Sequence, residues 1–136
     1  MKLRADQIEQ SQVSNSEIVT ESIEFENRDF TDAEIIDFVS APAGKIIIPL
    51  AIGMIKNITT AYENSLAFNV GYSSGNSISG FVVEANTGYS ASVKTPNFSN
   101  FPNPSNEIKI AKGGGAENAG IGKIKFTIAY YLIDTL

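Results

Sequence analysis

Apolar and polar residues alternate with period two along most of this chain, and the clearest case lies at Lys123–Leu136. Ile124, Phe126, Ile128, Tyr130 and Leu132 fall on one face, while Lys123, Lys125, Thr127, Ala129 and Tyr131 fall on the other. Such alternation in β-branched and aromatic residues predicts one long half-buried strand. The same period recurs in Ile23–Glu26, in Leu66–Tyr72, in Ile78–Glu84, more weakly in Tyr89–Thr95, and in Glu107–Lys112. Segments rich in Gly, Asn and Pro separate them, among them Gly75-Asn76 and the loop 113–122. Short strands spaced this way predict an all-β protein, a jelly-roll-like antiparallel β-sandwich.

Two segments break the pattern. Ile46–Ile55 is apolar on both faces, which a sheet with one wet side does not explain. One face is expected in the core and the other against a second layer or a neighbouring subunit, with Pro49 marking an edge or a break. Thr31-Asp32-Ala33-Glu34 fits a capping box, so one short helix is expected near residues 31–38. Residues 1–22 are polar, with scattered apolar positions, and read as an extended N-terminal arm. Residues 23–136 form the β domain.

Charge sharpens this division. The net charge is −5, yet residues 1–40 carry a balance of −7 and the remainder +2. An acidic arm before a near-neutral body lacks the basic footprint of nucleic-acid binding. The arm either docks on a basic partner surface or stays a solvated tail. No 18-residue apolar run exists to span a membrane, and Met1–Asp6 turns polar without a signal-peptide core. The expectation is a chain made in a cytoplasm.

Composition restricts chemistry. With neither Cys nor His, the chain has no thiolate nucleophile, no Cys-based zinc site and no Ser-His or Cys-His pair. Carboxylates in the β body are few (Glu63, Glu84, Glu107, Glu117, Asp134), and no local motif pairs them. No Asp/Asn cluster suits calcium. No catalytic residue, cofactor or metal ion is expected. Gly115 and Gly120 have the spacing of a phosphate-binding loop, but Ile121-Gly122 follows where Lys-Ser/Thr is required, and the loop joins two strands. Asn57-Ile58-Thr59 and Asn97-Phe98-Ser99 match the glycosylation acceptor pattern by chance.

Residues 95–106 are unusual. Asn97, Asn100, Asn103 and Asn106 recur every third position, and Phe98, Phe101 and Pro104 occupy a second register. With Pro96, Pro102 and Pro104, this favours a three-residue-per-turn polyproline II backbone having one amide face and one apolar face. Phe98 and Phe101 then either anchor a subunit contact or cover the subunit's own core. Together with the doubly apolar strand, this gives an expected self-association surface of Ile47, Pro49, Ile55, Phe98, Phe101, Tyr130 and Tyr131. A second reading is a carbohydrate-binding module, with Tyr62, Tyr72, Tyr89, Phe98 and Phe101 as sugar-stacking faces.

The order of features also carries a likeness. A Thr-x-x-Glu segment is followed by Ala41-Pro42-Ala43-Gly44-Lys45-Ile46-Ile47-Ile48-Pro49, then Thr60-Ala61-Tyr62 and Leu66-Ala67-Phe68-Asn69-Val70-Gly71-Tyr72. A terminal Gly-x-Lys-Ile-Lys-Phe-Thr-Ile-Ala-Tyr-Tyr-Leu-Ile-Asp completes it. Over residues 30–136 this resembles small virion structural proteins of tailed bacteriophages, of the head-fibre or capsid-decoration type. The resemblance implies a non-enzymatic virion component, a jelly-roll-like homotrimer held to the capsid or another virion protein by its N-terminal segment. Leu3, Arg4, Ile8 and Val13 are the expected attachment residues, and a host-surface glycan is the alternative partner.

Overall fold

A computed structural model describes residues 17–30, 33–73, 77–96, 103–113 and 119–136. Eight strands account for most of them: β1 (Val19–Glu26), β2 (Glu34–Ser40), β3 (Lys45–Thr60), β4 (Leu66–Tyr72), β5 (Ser77–Val83), β6 (Gly88–Lys94), β7 (Glu107–Lys112) and β8 (Ile121–Asp134). They form two antiparallel four-stranded sheets, ordered β1-β8-β3-β6 and β2-β7-β4-β5. Among successive strands only β4 and β5 are hairpin neighbours within one sheet; every other connection passes between sheets.

The predicted parity of β8 holds residue by residue. Ile124, Phe126, Ile128 and Tyr130 are buried, and Lys123 and Lys125 are exposed. Phe126 crosses the inter-sheet space to meet Phe68 at 5.3 Å and Phe81 at 5.7 Å between ring centroids, both near edge-to-face. Phe30 does the same at one end, meeting Phe25 at 5.8 Å and Phe68 at 5.4 Å. Such contacts add about 0.5–1.5 kcal/mol each beyond the burial of the rings. The Tyr72 hydroxyl donates to the Ile47 carbonyl at 2.6 Å, tying β4 to β3 through the core.

The segment expected to be helical is strand β2. Thr31 and Asp32 lie outside the described residues, but Glu34 makes an ion pair with Arg28 at 2.7 Å instead of capping a helix. Glu34-Ile35-Ile36-Asp37-Phe38-Val39-Ser40 pairs with β7, placing Asp37 beside Lys109. One or two isolated turns cost a helix nucleus without a packed face, whereas these alternating residues gain a ladder and a core face. β1 begins at Val19, so Val19–Ser22 of the expected arm are part of the sheet through pairing with Thr127–Tyr130.

The loops at one end interlock. The Asn27 side chain, on a residue of φ 51°, accepts from the Gly122 amide at 2.9 Å, and the Asn27 amide donates to the Gly122 carbonyl at 2.7 Å. Arg28 lies about 5 Å from the Phe25 and Phe30 ring centres, and the Tyr62 hydroxyl donates to the Arg28 carbonyl at 2.7 Å. Gly122 has φ 147°, and a Cβ there would stand 2.3 Å from the Asn57 carbonyl oxygen.

Gly122→Ala is therefore expected to lower stability by about 2 kcal/mol or more through backbone strain and a contact with main chain that cannot move aside. Urea unfolding of the two proteins measures this. Alkaline titration gives a second check. Burial pushes the Tyr72 phenol up to about 12, above its usual 10.0. The neutral form is favoured in the folded state, so this stabilising contribution is complete below pH 10. It is lost at about 1.4 kcal/mol per pH unit as pH rises from 10 towards 12. Tyr72→Phe should flatten the stability profile in that window, as followed by unfolding at fixed pH values.

Candidate assembly surface

Because both inner faces are used up in the sandwich, parity dictates what each sheet presents outward. On the first sheet the outward row of β3 is Ile46, Ile48, Ala51, Gly53 and Ile55, with a register shift between Pro49 and Ala51 that swaps the row across Leu50. Beside it on β8 lie Ile133, Tyr131, Ala129, Thr127 and Lys125, and on β6 lie Val93 and Ala91. Small residues at the centre hollow this face into a groove of about 330 Å³, lined by Ala51, Gly53, Ile55, Ala91, Val93 and Ala129 among others. Val93 is 72% exposed and Ile55 40%, although both are large hydrophobic residues. The doubly apolar segment thus has one face in the core and the other uncovered by any third layer of the described residues.

The charged end of this face is separate. Glu24 pairs across the strands with Lys125, and Glu26 with Lys123, near the interlocked loops. The apolar part lies between that end and the opposite one.

The expected self-association residues fall into three groups. Ile47, Pro49 and Tyr130 are buried within the single subunit, where they have no surface to offer a second copy. Parity explains this: they lie on the inward rows of β3 and β8, and Tyr130 turns its hydroxyl to Glu21. Burial and that hydrogen bond both raise the Tyr130 phenol above its usual range. Ile55 and Tyr131 face outward on the apolar surface. Phe98 and Phe101, like the expected attachment residues Leu3, Arg4, Ile8 and Val13, lie outside the described residues. Ala91 and Val93 were not singled out from sequence; the signal for them is the alternation Tyr89-Ala91-Val93 against Ser90-Ser92, which marks one face of β6.

Strand direction sorts the features by end. Pairing of Val19 with Tyr130 and of Lys45 with Asp134 puts the start of β1, the start of β3 and the finish of β8 together. The strand ends flanking residues 95–106 point the same way. Pairing of Glu26 with Lys123 and of Thr60 with Ile121 puts the flanks of the Gly-rich loop at the opposite end.

The second sheet carries its own outward groove, of about 470 Å³, lined by Ile35, Asn69, Gly71, Ser73, Ser77 and Lys109 among others. Lys109 contacts the Asp37 carboxylate at 2.5 Å, and that hydrogen bond holds the ammonium above its usual range. Of the aromatic residues expected to stack on sugars, Tyr62 and Tyr72 are buried with their hydroxyls bonded to main-chain carbonyls. Tyr89 is 73% exposed. Among the described residues there is no group of three acidic side chains fit to hold a metal ion, and no helix long and apolar enough to cross a membrane.

No protein-family model matches the chain, and no curated protein matches it in sequence. Solved structures do show similarity. A chain from Bacillus endospore appendages, described as a novel family of disulfide-linked pili, is 16% identical over 85% of this chain and 89% of that one, with a TM-score of 0.46. A chain from the acid-stable capsid of Helicobacter pylori bacteriophage KHP30 is 11% identical over 90% and 95%, with a TM-score of 0.47. TmCBM61 in complex with β-1,4-galactotriose is 18% identical over 92% and 78%, with a TM-score of 0.34.

Proposed function

We propose that this chain is a non-enzymatic structural component of a tailed-bacteriophage particle, of the head-fibre or capsid-decoration type, that works as an assembly of like copies. The observation that carries this reading is the outward apolar face of β3, β8 and β6. Rows from Ile46 to Ile55 on β3 and the facing stretch of β8, widened by β6 from Ile52 onward, cover on the order of 350 Å² in projection, a size at which an apolar patch marks an interaction site. Leaving Val93, Ile55 and Tyr131 in water costs the hydrophobic term that a covering partner recovers.

The copy number of three follows from the family resemblance, as does attachment to the capsid or another virion protein through residues 1–22, with Leu3, Arg4, Ile8 and Val13 as contacts. The strand geometry supports a bipolar particle component. The sheet-forming end of the arm and the flanks of residues 95–106 share one end, leaving the Gly-rich loop for the other. The passage of successive strands between sheets supports the jelly-roll reading.

A second reading is favoured by the groove on the other sheet, where Asn69, Ser73 and Ser77 offer an amide and hydroxyls to a hydroxyl-rich ligand such as a host-surface glycan. It has lost two of its stacking aromatics to the core, which is why it stands second. Binding on a glycan array that Asn69→Ala abolishes would move it to first place.

Two experiments test the main reading. Light scattering of the full chain at tens of micromolar is expected to give an oligomer. Tyr131→Glu combined with Ile55→Glu should break the contacts made through this face and give a smaller species, with thermal unfolding of the subunit close to that of the parent, because both positions face outward. A parent that is already monomeric removes the assembly claim. Removing residues 1–16, which leaves β1 whole, should abolish co-sedimentation of a tagged chain with phage particles in a density gradient, while the oligomer persists. Co-sedimentation undiminished by that deletion would refute attachment through the arm.

A further inference from the structure

The apolar face alone is less than half of the roughly 800 Å² that each partner of a standard interface buries. A second contact between copies is therefore needed, and the edges of the sheets differ in their fitness to make one. Three of the four edges carry features that oppose self-pairing. β1 bears Glu21, Glu24 and Glu26, and β2 bears Glu34 and Asp37 with a register shift against β7. β5 is bulged against β4 between Val70 and Gly71. Charges and bulges are among the ordinary means by which edges are kept from pairing.

β6 has none of these protections. It pairs with β3 from Ile52↔Lys94 to Ile58↔Gly88 without a register shift, and contains no proline. Its only charge is Lys94 at the last position. Six of its seven residues are exposed, including Ser90, which points to the inner side. The Lys94 end meets the second sheet, its ammonium 5.6 Å from the Phe81 ring centre, while the part around Ser90 lies beyond that cover.

Its sequence is also symmetric about Ala91. Tyr89-Ser90-Ala91-Ser92-Val93 places a large apolar residue, Ser, Ala, Ser and a large apolar residue in order. We infer that β6 pairs antiparallel with β6 of a second copy about a two-fold axis through Ala91, joining the two first sheets into one eight-stranded sheet. In this register Ala91 faces Ala91 of the second copy and Tyr89 faces Val93, an aromatic–β-branched pair made twice on the outer face. Ser90 faces Ser92 on the inner face, again twice, as a hydroxyl pair. Lys94 falls opposite Gly88, so no like charges meet. The apolar grooves, each lined by Ala91 and Val93, become neighbours on one continuous surface.

This contact rests on the reading of a self-associating subunit and deepens it. Its occupant is a second copy, because an edge that mirrors itself and carries its one charge at the far end is complementary to itself, whereas β1 and β2 set carboxylates against their own kind and β5 is bulged.

The natural chain has no cysteine, so a single introduced one reports geometry cleanly. Opposed Cβ atoms about 4.5–5.5 Å apart lie close to disulfide reach. Under mild oxidation Ala91→Cys is expected to give a dimer band on a non-reducing denaturing gel at least about tenfold faster than Ala67→Cys, which is exposed on the other sheet, since pairing raises the local thiol concentration. Ala91→Lys sets two cations opposite each other and should reduce dimers trapped by an amine-independent photo-cross-linker at Tyr89, with unfolding unchanged. Cross-linking of Ala91→Cys no faster than that of Ala67→Cys overturns the β6 contact. Oligomers seen by scattering in that case keep the assembly reading alive, and monomers by scattering remove both.

Discussion

The contact of Phe126 with Phe68 and Phe81 is the constraint from which the rest of the architecture follows. It fixes which row of β8 points inward, and strand periodicity then assigns every other residue of that strand outward. A slip of one residue would bury Lys123, Lys125 and Thr127 in place of Ile124, Phe126 and Ile128, a cost far above total domain stability. Pairing carries the same parity to β3 and β1, so one aromatic cluster between the sheets determines the chemistry of the outer face. That the outer face is apolar along β3 is then a property of the sequence that folding of one subunit does not satisfy.

The two ends of the sandwich differ in how they are held. At the Gly-rich end, Asn27, Arg28, Tyr62 and Gly122 join three loops through main-chain hydrogen bonds and stacking. At the other end, Asn106 donates to the Ala41 carbonyl at 2.9 Å and Lys45 meets Asp134 at 2.5 Å, next to the start of β1. That surface ion pair is of the kind that contributes little on its own. Polar, adaptable contacts thus lie near the segment proposed to engage another protein.

Much of this was legible in the sequence because period-two patterns report sheet faces directly. β4, β7 and β8 lie where alternation put them, and β3 has one face in the core as expected, while its other face, expected against a second layer or a neighbouring subunit, has no layer of the described residues over it. What failed did so for physical reasons. Thr31–Glu34 satisfies the local requirement for a capped helix, but the alternating Ile36 and Phe38, with Val39 brought inward by the register shift after Asp37, gain more from pairing with β7 than two helical turns provide. Ile47, Pro49 and Tyr130 were placed in an interface because apolarity alone does not say which face a residue occupies. Parity is set by partners far along the chain, as in the pairing of Ile47 with Leu132. Tyr62 and Tyr72 look like exposed rings from sequence, which does not show that their hydroxyls find main-chain carbonyls inside the fold.

Edge chemistry also decides whether association through strands would stop. A sheet that grows by adding edges to edges is open-ended unless the newly presented edges refuse further partners. Joining two copies through β6 would leave β1 at both margins of the combined sheet, each bearing Glu21, Glu24 and Glu26. Glu24 and Glu26 are opposed by Lys125 and Lys123 on β8 of their own subunit, so their charge is balanced within one sheet and offers no free cation to another edge. Two such margins meeting would bring carboxylates together across a strand pair with no lysine between them, which is unfavourable. The distribution of charge on the first sheet, acidic at β1 and absent along most of β6, therefore favours one contact through that sheet and opposes the next. Growth beyond such a pair then falls to surfaces other than the margins of the first sheet.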